Sequence, residues 1–267
     1  MSAPYRLERT LIRVSGPDTL GFLDNLLTQN VSTDAPVHYA GLLSPQGKVI
    51  ADMFVWRDGE ARVLDVDPAR GEDLLRRLGM YKLRANVSLS ATPGAVLVHA
   101  APFDNAVRDP RLDALGWRVL TTGDGDADQS AYNTARIAAG VPDLATDSQP
   151  EEVFALEALL EELNGVDFQK GCFVGQENVS RMKRRATTRK KFCPLAFDGE
   201  APAYGTPVRA DQAELGTVRS GIPGRALALL RLDRALDAIE KGEQLFAGDR
   251  PVRLDPPSWL LLPERGD

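Results

Sequence analysis

Apolar residues along this chain alternate between a spacing of two and a spacing of three to four, and the changes of period divide it into elements. Arg9 to Val14 reads as a strand. Ser15-Gly-Pro-Asp18 then resembles a capping box with Ser15 as N-cap, ahead of a helix carrying Leu20, Phe22, Leu23, Leu26 and Leu27 to a stop at Asn30. Leu42 to Trp56 is extended, Asp58-Gly59 marks a tight hairpin turn, and Arg62 to Val66 is the returning strand. Pro68 opens a helix through Leu78, followed by strands at Asn86 to Leu89 and Ala95 to Ala100. Loops from Phe103 to Gly125, with the Gly/Asp-rich Thr121 to Asp128, surround one strand at Trp117 to Leu120.

A helix from Gln129 to Ala139 ends at Gly140, and Ser148-Gln-Pro-Glu151 offers a second capping box. The helix expected next is the clearest in the pattern. Val153, Leu156, Leu160 and Leu163 form its apolar stripe, with Phe154 and Leu159 beside it and Glu151, Glu152, Glu161 and Glu162 outside. After Lys191 the pattern breaks into short strands (Pro207 to Ala210, Leu215 to Ser220, Ala226 to Leu232, Pro251 to Leu254) punctuated by Gly and Pro, which predicts a small β-barrel. Strands and helices mix without βαβ alternation, so the class is α+β.

At 267 residues, 43% hydrophobic and 26% charged, the composition is that of an ordinary globular protein of two or three units. No apolar run approaches the ~20 residues of a membrane helix. Met1 to Leu11 lacks the apolar core of a secretory signal, which makes the cytoplasm the expected compartment. A net charge of −6 argues against general coating of nucleic acid. The two cysteines, Cys172 and Cys193, have no metal or disulfide spacing, and His38 and His99 fall in no ligand motif, so both histidines read as structural and no metal site is expected.

Chemistry concentrates in Asn164-Gly-Val-Asp-Phe-Gln-Lys-Gly-Cys-Phe-Val-Gly-Gln-Glu-Asn178. Gly165, Gly171 and Gly175 permit positive φ or close approach, so Cys172 is expected in a shaped turn. With Lys170 beside it and a helix from Gly175 to Arg184 following, the thiolate is favoured. Cys193, in the apolar Phe192-Cys-Pro-Leu195, reads as a small buried hydrophobe. Arg181, Lys183, Arg184, Arg185, Arg189, Lys190 and Lys191 follow with no acidic residue between Asn178 and Phe197. Such a field suits an anionic ligand such as a glutamate tail, an RNA backbone or an acidic partner protein, or is simply solvated. Asp52 is a second candidate: in a strand it shares a face with Ile50, Phe54 and Trp56, and a carboxylate in such surroundings needs a ligand or backbone donors and has a perturbed pKa.

Lys170-Gly-Cys-Phe-Val-Gly-Gln-Glu177 closely resembles the K-G-C-Y-x-G-Q-E signature of the YgfZ family, with Phe173 in the tyrosine position. Leu26-Leu-Thr-Gln-Asn30, Leu42-Leu-Ser-Pro-Gln-Gly-Lys48 with Asp52, Tyr81-Lys-Leu-Arg84 and Arg136-Ile-Ala-Ala-Gly-Val-Pro142 extend the resemblance over roughly Arg9 to Leu230. The resemblance implies a fold like the glycine-cleavage T-protein, with three lobes around a central channel: two mixed α/β, ferredoxin-like units within residues 1–190 and a C-terminal β-barrel over 191–267. It implies tetrahydrofolate in the channel, lined by Asp52 with Arg136 and Glu157 and approached by Gly171, Gln176 and Glu177. It further implies work on iron–sulfur proteins with partner proteins of that machinery, Cys172 as the functional thiol aided by Lys170, and links to tRNA modification. A single cysteine must share a cluster rather than house one. A folate-dependent aminomethyltransferase and an RNA-binding factor are the competing readings.

Overall fold

The structure is a computed structural model that describes residues 4–121, 125–126, 129–186 and 188–263. Of the Gly/Asp-rich stretch, residues 122–124, 127 and 128 lie outside that range. In chain order the elements are β1 (Tyr5–Ser15), α1 (Thr19–Asp24), β2 (Val37–Leu43), β3 (Val49–Asp58), β4 (Ala61–Val66), α2 (Pro68–Lys82), β5 (Ser88–His99), β6 (Val107–Arg108), β7 (Trp117–Thr121), α3 (Ser130–Ala139) and α4 (Leu144–Asp147). The remainder comprises α5 (Gln176–Arg184), β8 (Lys190–Ala196), β9 (Pro207–Ala210), β10 (Ala213–Ile222), β11 (Arg225–Arg231), α6 (Leu232–Glu240), β12 (Leu245–Ala247) and β13 (Arg250–Leu254).

The first strands form a seven-stranded antiparallel sheet in the order β2-β3-β4-β1-β5-β7-β6, and the last six close into a barrel in the order β10-β11-β8-β13-β12-β9. The α+β class and the C-terminal barrel are as the pattern predicted. The two α/β units share one continuous sheet, because β1 pairs with β4 through Thr10 to Val14 and with β5 along its whole length. One face of that sheet buries Ile12, Met53, Val55 and Leu64 under α1 and α2. The opposite face, with Tyr39, Phe54 and Trp56, joins residues 153–163 and the barrel's Phe192, Leu195 and Val208 in one core. Period-two alternation along β3 therefore serves two cores, and Asp52 falls on the barrel-side face with Phe54 and Trp56; Ile50 belongs to the other core.

Local chemistry sets the boundaries. Asp67 caps α2 by accepting the Ala69 N–H at 2.8 Å, and Pro68 begins the helix. Gly71 lets α2 cross β1, since a Cβ there would stand 2.7 Å from Thr10. α3 ends on left-handed Gly140.

Several expectations are corrected. Ser15 stays in β1 and α1 is a short helix from Thr19 to Asp24 without a side-chain cap. A turn at Ser44–Lys48 interrupts the extended run, closed by the Ser44 N–H donating to the Lys48 carbonyl at 2.8 Å. The two strands expected around Pro93-Gly94 are one strand, β5. α6 follows β11 where only a strand end was read. Residues 151–163 form successive turns rather than the expected helix, with Glu151 and Leu159 at φ +61° and +62°. Apolar residues bury on several sides of this segment, and its glutamates serve the barrel and α5: Glu152 pairs with Arg219, Glu161 with Lys183 and Glu162 with Lys191. Contacts with separate neighbours, rather than one apolar stripe, set the backbone.

Candidate functional site: a clasped thiol loop and a small polar cavity

Three of the stretches that carry the resemblance meet around Cys172. Thr28, fully buried, receives the Gly41 N–H and donates to the Gly165 carbonyl, while its own carbonyl accepts the Asp167 N–H at 3.0 Å. Gln29 donates to the Asn164 carbonyl at 2.7 Å. The Lys170 ammonium turns inward, donates to the Leu27 and Gln29 carbonyls at 2.8 and 2.9 Å, and forms an ion pair with Asp24 at 3.1 Å. Two carbonyls and a carboxylate claim the ammonium, so Lys170 is an anchor of the loop rather than an activator facing the thiol. Burial holds its pKa below the ordinary lysine value, against the pull of Asp24.

On the far side of the thiol, Phe173 is buried beneath Lys170, whose Nζ is 5.6 Å from the ring centroid. The Gln176 side chain closes the loop on the Gly171 carbonyl at 3.4 Å, and Gly175 starts α5 from a left-handed conformation. Gly175 is the one of the three expected glycines with positive φ, and Glu177 is exposed in the first turn of α5. Gly171 and Cys172 are left exposed between a clamped lysine and a buried ring. Cys193 is fully buried, and burial pushes its thiol up to about 12.

Asp52 lies elsewhere. A cavity of about 50 Å³ is lined by Asp52, Phe54, Arg9, Arg111, Arg118 and Tyr132 among others, and no residue of 170–177 reaches it. Tyr39 donates to the Asp52 carboxylate at 2.9 Å. Burial and the nearby Asp143 charge raise the Asp52 pKa, against that hydrogen bond and the charges of Arg9 and Arg111. Arg111 grips Asp109 with Nε at 3.0 Å and Nη2 at 2.9 Å, and Arg118 reaches the same carboxylate at 3.2 Å. Burial disfavours the Asp109 charge, but the two guanidiniums hold its pKa below the ordinary value. Both guanidiniums lie over the Phe54 ring, at 4.8 and 3.2 Å from its centroid. The Arg118 Nε has no hydrogen-bond partner among the described residues.

This polar set has donors and acceptors a pterin edge uses, but not the room. Small-molecule pockets run ~300–1,000 Å³, and the Arg111 and Arg118 forks fill the space over Phe54. The space beside Asp52 is small in this arrangement, and the two guanidiniums lie where it meets Phe54.

Other expected cavity residues go to different work. Arg136 is buried in a clamp with Asn133, Asp147 and Ser220, which ties α3 to α4 and β10. Glu157 accepts the Phe154 N–H at 2.9 Å, and burial raises its pKa. Neither lines the Asp52 cavity. Among the seven clustered cations, Lys191 is buried against Glu162 and the Leu261 carbonyl, Lys183 pairs with Glu161, and Arg181 bonds Asn178. Arg184, Arg185 and Arg189 face solvent, with Lys190 partly covered. His38 meets Thr33 and His99 meets the Ala101 backbone, and no group of three potential metal ligands occurs among the described residues. Thr28, Arg9, Arg111 and Arg118 were not singled out by sequence; polar residues set inside apolar runs were the available signal.

Residues 189–261 match the CAF17 C-terminal β-barrel domain. The mitochondrial iron–sulfur cluster assembly factor IBA57 of Mus musculus is 32% identical, aligning 85% of this chain with 77% of its own length. The IBA57 homolog of Pyricularia oryzae is 31% identical over 90% of this chain and 74% of its own length. The chain belongs to the IBA57 family of iron–sulfur cluster assembly factors. The human IBA57 gives 30% identity with 85% and 77% coverage. These IBA57 relatives are named as mitochondrial, which overturns the expectation of a cytoplasmic protein. Glycine cleavage system aminomethyltransferase T from Bartonella henselae superposes over 100% of this chain and 88% of its own at a TM-score of 0.74 with 14% identity, so this chain has that fold.

Proposed function

We propose that the chain supplies Cys172 as one ligand to an iron–sulfur cluster whose remaining ligands come from a partner protein of the assembly machinery. The observation that carries this is the exposure of Cys172 on a loop fixed by Lys170, Phe173 and Gln176, while Cys193 is sealed in the barrel. One accessible thiolate cannot hold a cluster alone. The cluster is therefore cargo, and the fixed loop presents the sulfur without a large ordering cost on contact. The YgfZ-type resemblance supports the same work.

Tetrahydrofolate has no part in this reading: the cavity beside Asp52 is small, its arginines lie over Phe54, and no residue of 170–177 lines it. The likeness to an aminomethyltransferase supplies the fold, not its reaction. An RNA role draws no support from cations of which Lys183 and Lys191 are already in ion pairs.

Anaerobic reconstitution with ferrous iron and sulfide tests the proposal. The chain alone should retain no stable cluster. Mixed with an apo iron–sulfur protein of the assembly machinery, it should form a cluster-containing heterocomplex that Cys172→Ser abolishes and Cys193→Ser keeps. A Cys172→Ser complex with unchanged cluster content overturns it.

A further inference from the structure

We propose that the groove between α1 and the turn after α2 docks the iron–sulfur partner through an acidic segment, with Leu83 as the anchor this chain inserts. The inference rests on the partner-shared cluster proposed above and says where that partner sits.

The groove, about 600 Å³, is lined by Pro17, Gly21, Phe22, Leu26, Tyr81 and Ala85, among others. At its edge Leu83 is 89% exposed and Met80, one turn earlier, 56% exposed. Leu83 also stands at φ 38°, ψ −99°, a conformation a branched side chain adopts at a cost. The turn is over-determined around it: the Ala85 N–H donates to the Lys82 carbonyl, the Val87 N–H to the Ala85 carbonyl, and the Asn86 N–H to the Asp18 carboxylate at 2.7 Å. A leucine held in strain with almost all of its surface in water gains nothing within this chain. Its gain lies in a partner's apolar pocket.

Charge selects the partner's chemistry. Lys82 and Arg84 flank Leu83, and neither has an ion-pair partner among the described residues. Asp18 also lines the groove and keeps its charge while accepting the Asn86 N–H, and Asp24 is paired with Lys170, so Lys82 and Arg84 face one uncompensated carboxylate. The net field at the groove is positive, so the complementary segment carries carboxylates beside a large apolar side chain.

Placement selects its role. Phe22 and Leu26 line the groove, while Asp24 and Leu27 of the same stretch hold the Lys170 ammonium, two residues before Cys172. Tyr81 at the end of α2 and Val174 of the thiol loop pack on one apolar cluster. A partner seated on α1 is thus a neighbour of the exposed thiol.

Photo-crosslinking of the full-length chain in cells, with p-benzoylphenylalanine at position 83, tests the docking. The expected adduct is with an iron–sulfur protein, on a peptide rich in Asp and Glu, and it persists when Cys172→Ser is introduced. No adduct, an adduct with a second copy of this chain, or one on a basic or non-iron–sulfur protein overturns the proposal. Exposed Leu83 can be changed without touching a core. Leu83→Asp and Arg84→Glu should each lower cellular iron–sulfur enzyme activity at least five-fold with unchanged melting temperature and unchanged Cys172 alkylation; full activity in both overturns it. If Cys172→Ser retains activity while Leu83→Asp loses it, docking stands and the thiol reading falls.

Discussion

Gly175 and Gly47 meet backbone to backbone: a Cβ on Gly175 would lie 3.0 Å from the Gly47 Cα and 2.7 Å from the Ser44 carbonyl oxygen. The turn between β2 and β3 thereby seats the start of α5 and, with it, one end of the thiol loop. Gly175 also has φ +82°, closed to most side chains without strain. Gly175→Ala should cost about 2 kcal/mol or more, combining left-handed strain with the clash. Urea unfolding checks the stability, and retention of wild-type cluster content in the reconstituted complex would show that this contact does not position the thiol.

The two cysteines should separate cleanly by reactivity. At pH 7.5 and limiting iodoacetamide, exposed Cys172 should take the label, while Cys193, buried and with its thiol raised to about 12, should remain unmodified in the folded protein. Peptide mass spectrometry reads the ratio. Labelling of Cys193 at a comparable rate under native conditions contradicts the barrel's burial of that thiol.

Asp52 sets a pH dependence whose sign follows from its raised pKa. Between the unfolded carboxyl value and the folded one, the native state binds the proton more tightly, so this group's contribution to stability falls as pH rises through that window. Asp52→Asn keeps an acceptor for the Tyr39 hydroxyl and removes the buried charge. At pH 7 it should raise the melting temperature, and the gain should shrink as pH falls through the window toward 3.8. A variant less stable than the parent at pH 7 would show that the ionised carboxylate is well satisfied.

Calorimetric titration with tetrahydrofolate under anaerobic conditions should give no saturable binding to the parent chain. The Arg111 and Arg118 guanidiniums over Phe54 occupy the place a flat ring would take. Saturable binding with a one-to-one stoichiometry would mean that these arginines leave the ring in solution.

Lys170→Met tests the clamp. It leaves two carbonyls without their donor and Asp24 without its ion-pair partner, at about 1–3 kcal/mol. The Cys172 alkylation rate should also change as the loop samples several positions, averaged into one exponential because loop motion is far faster than alkylation. An unchanged rate and unchanged stability would remove the anchoring role.

Short-range chemistry made much of this structure legible. Asp58-Gly59 produced the β3–β4 hairpin, Pro68 opened α2, Gly140 closed α3, and Cys172 and Cys193 sorted into exposed and buried as their flanks suggested. What failed were inferences that needed to know a neighbour. The apolar spacing of 153–163 is equally compatible with a helix and with turns buried on several sides, and only the barrel decides. Lys170 sits beside Cys172 in sequence, yet carbonyls 141 and 143 positions away claim its ammonium. Arg136 was drawn toward the cavity by resemblance and is held instead by Asp147 and Ser220.

The first and last strands of the barrel, β8 and β13, lie side by side, so the chain enters and leaves it at one seam. At that seam Lys191 joins a glutamate from the preceding segment, Glu162, whose side chain is wholly buried. Severing the polypeptide just before the barrel would therefore strand an uncompensated carboxylate and bare the apolar wall of residues 153–163. The barrel has the outline of a transferable module but is grafted by ionic and apolar roots, and its inheritance is tied to that of the segment ending in the thiol.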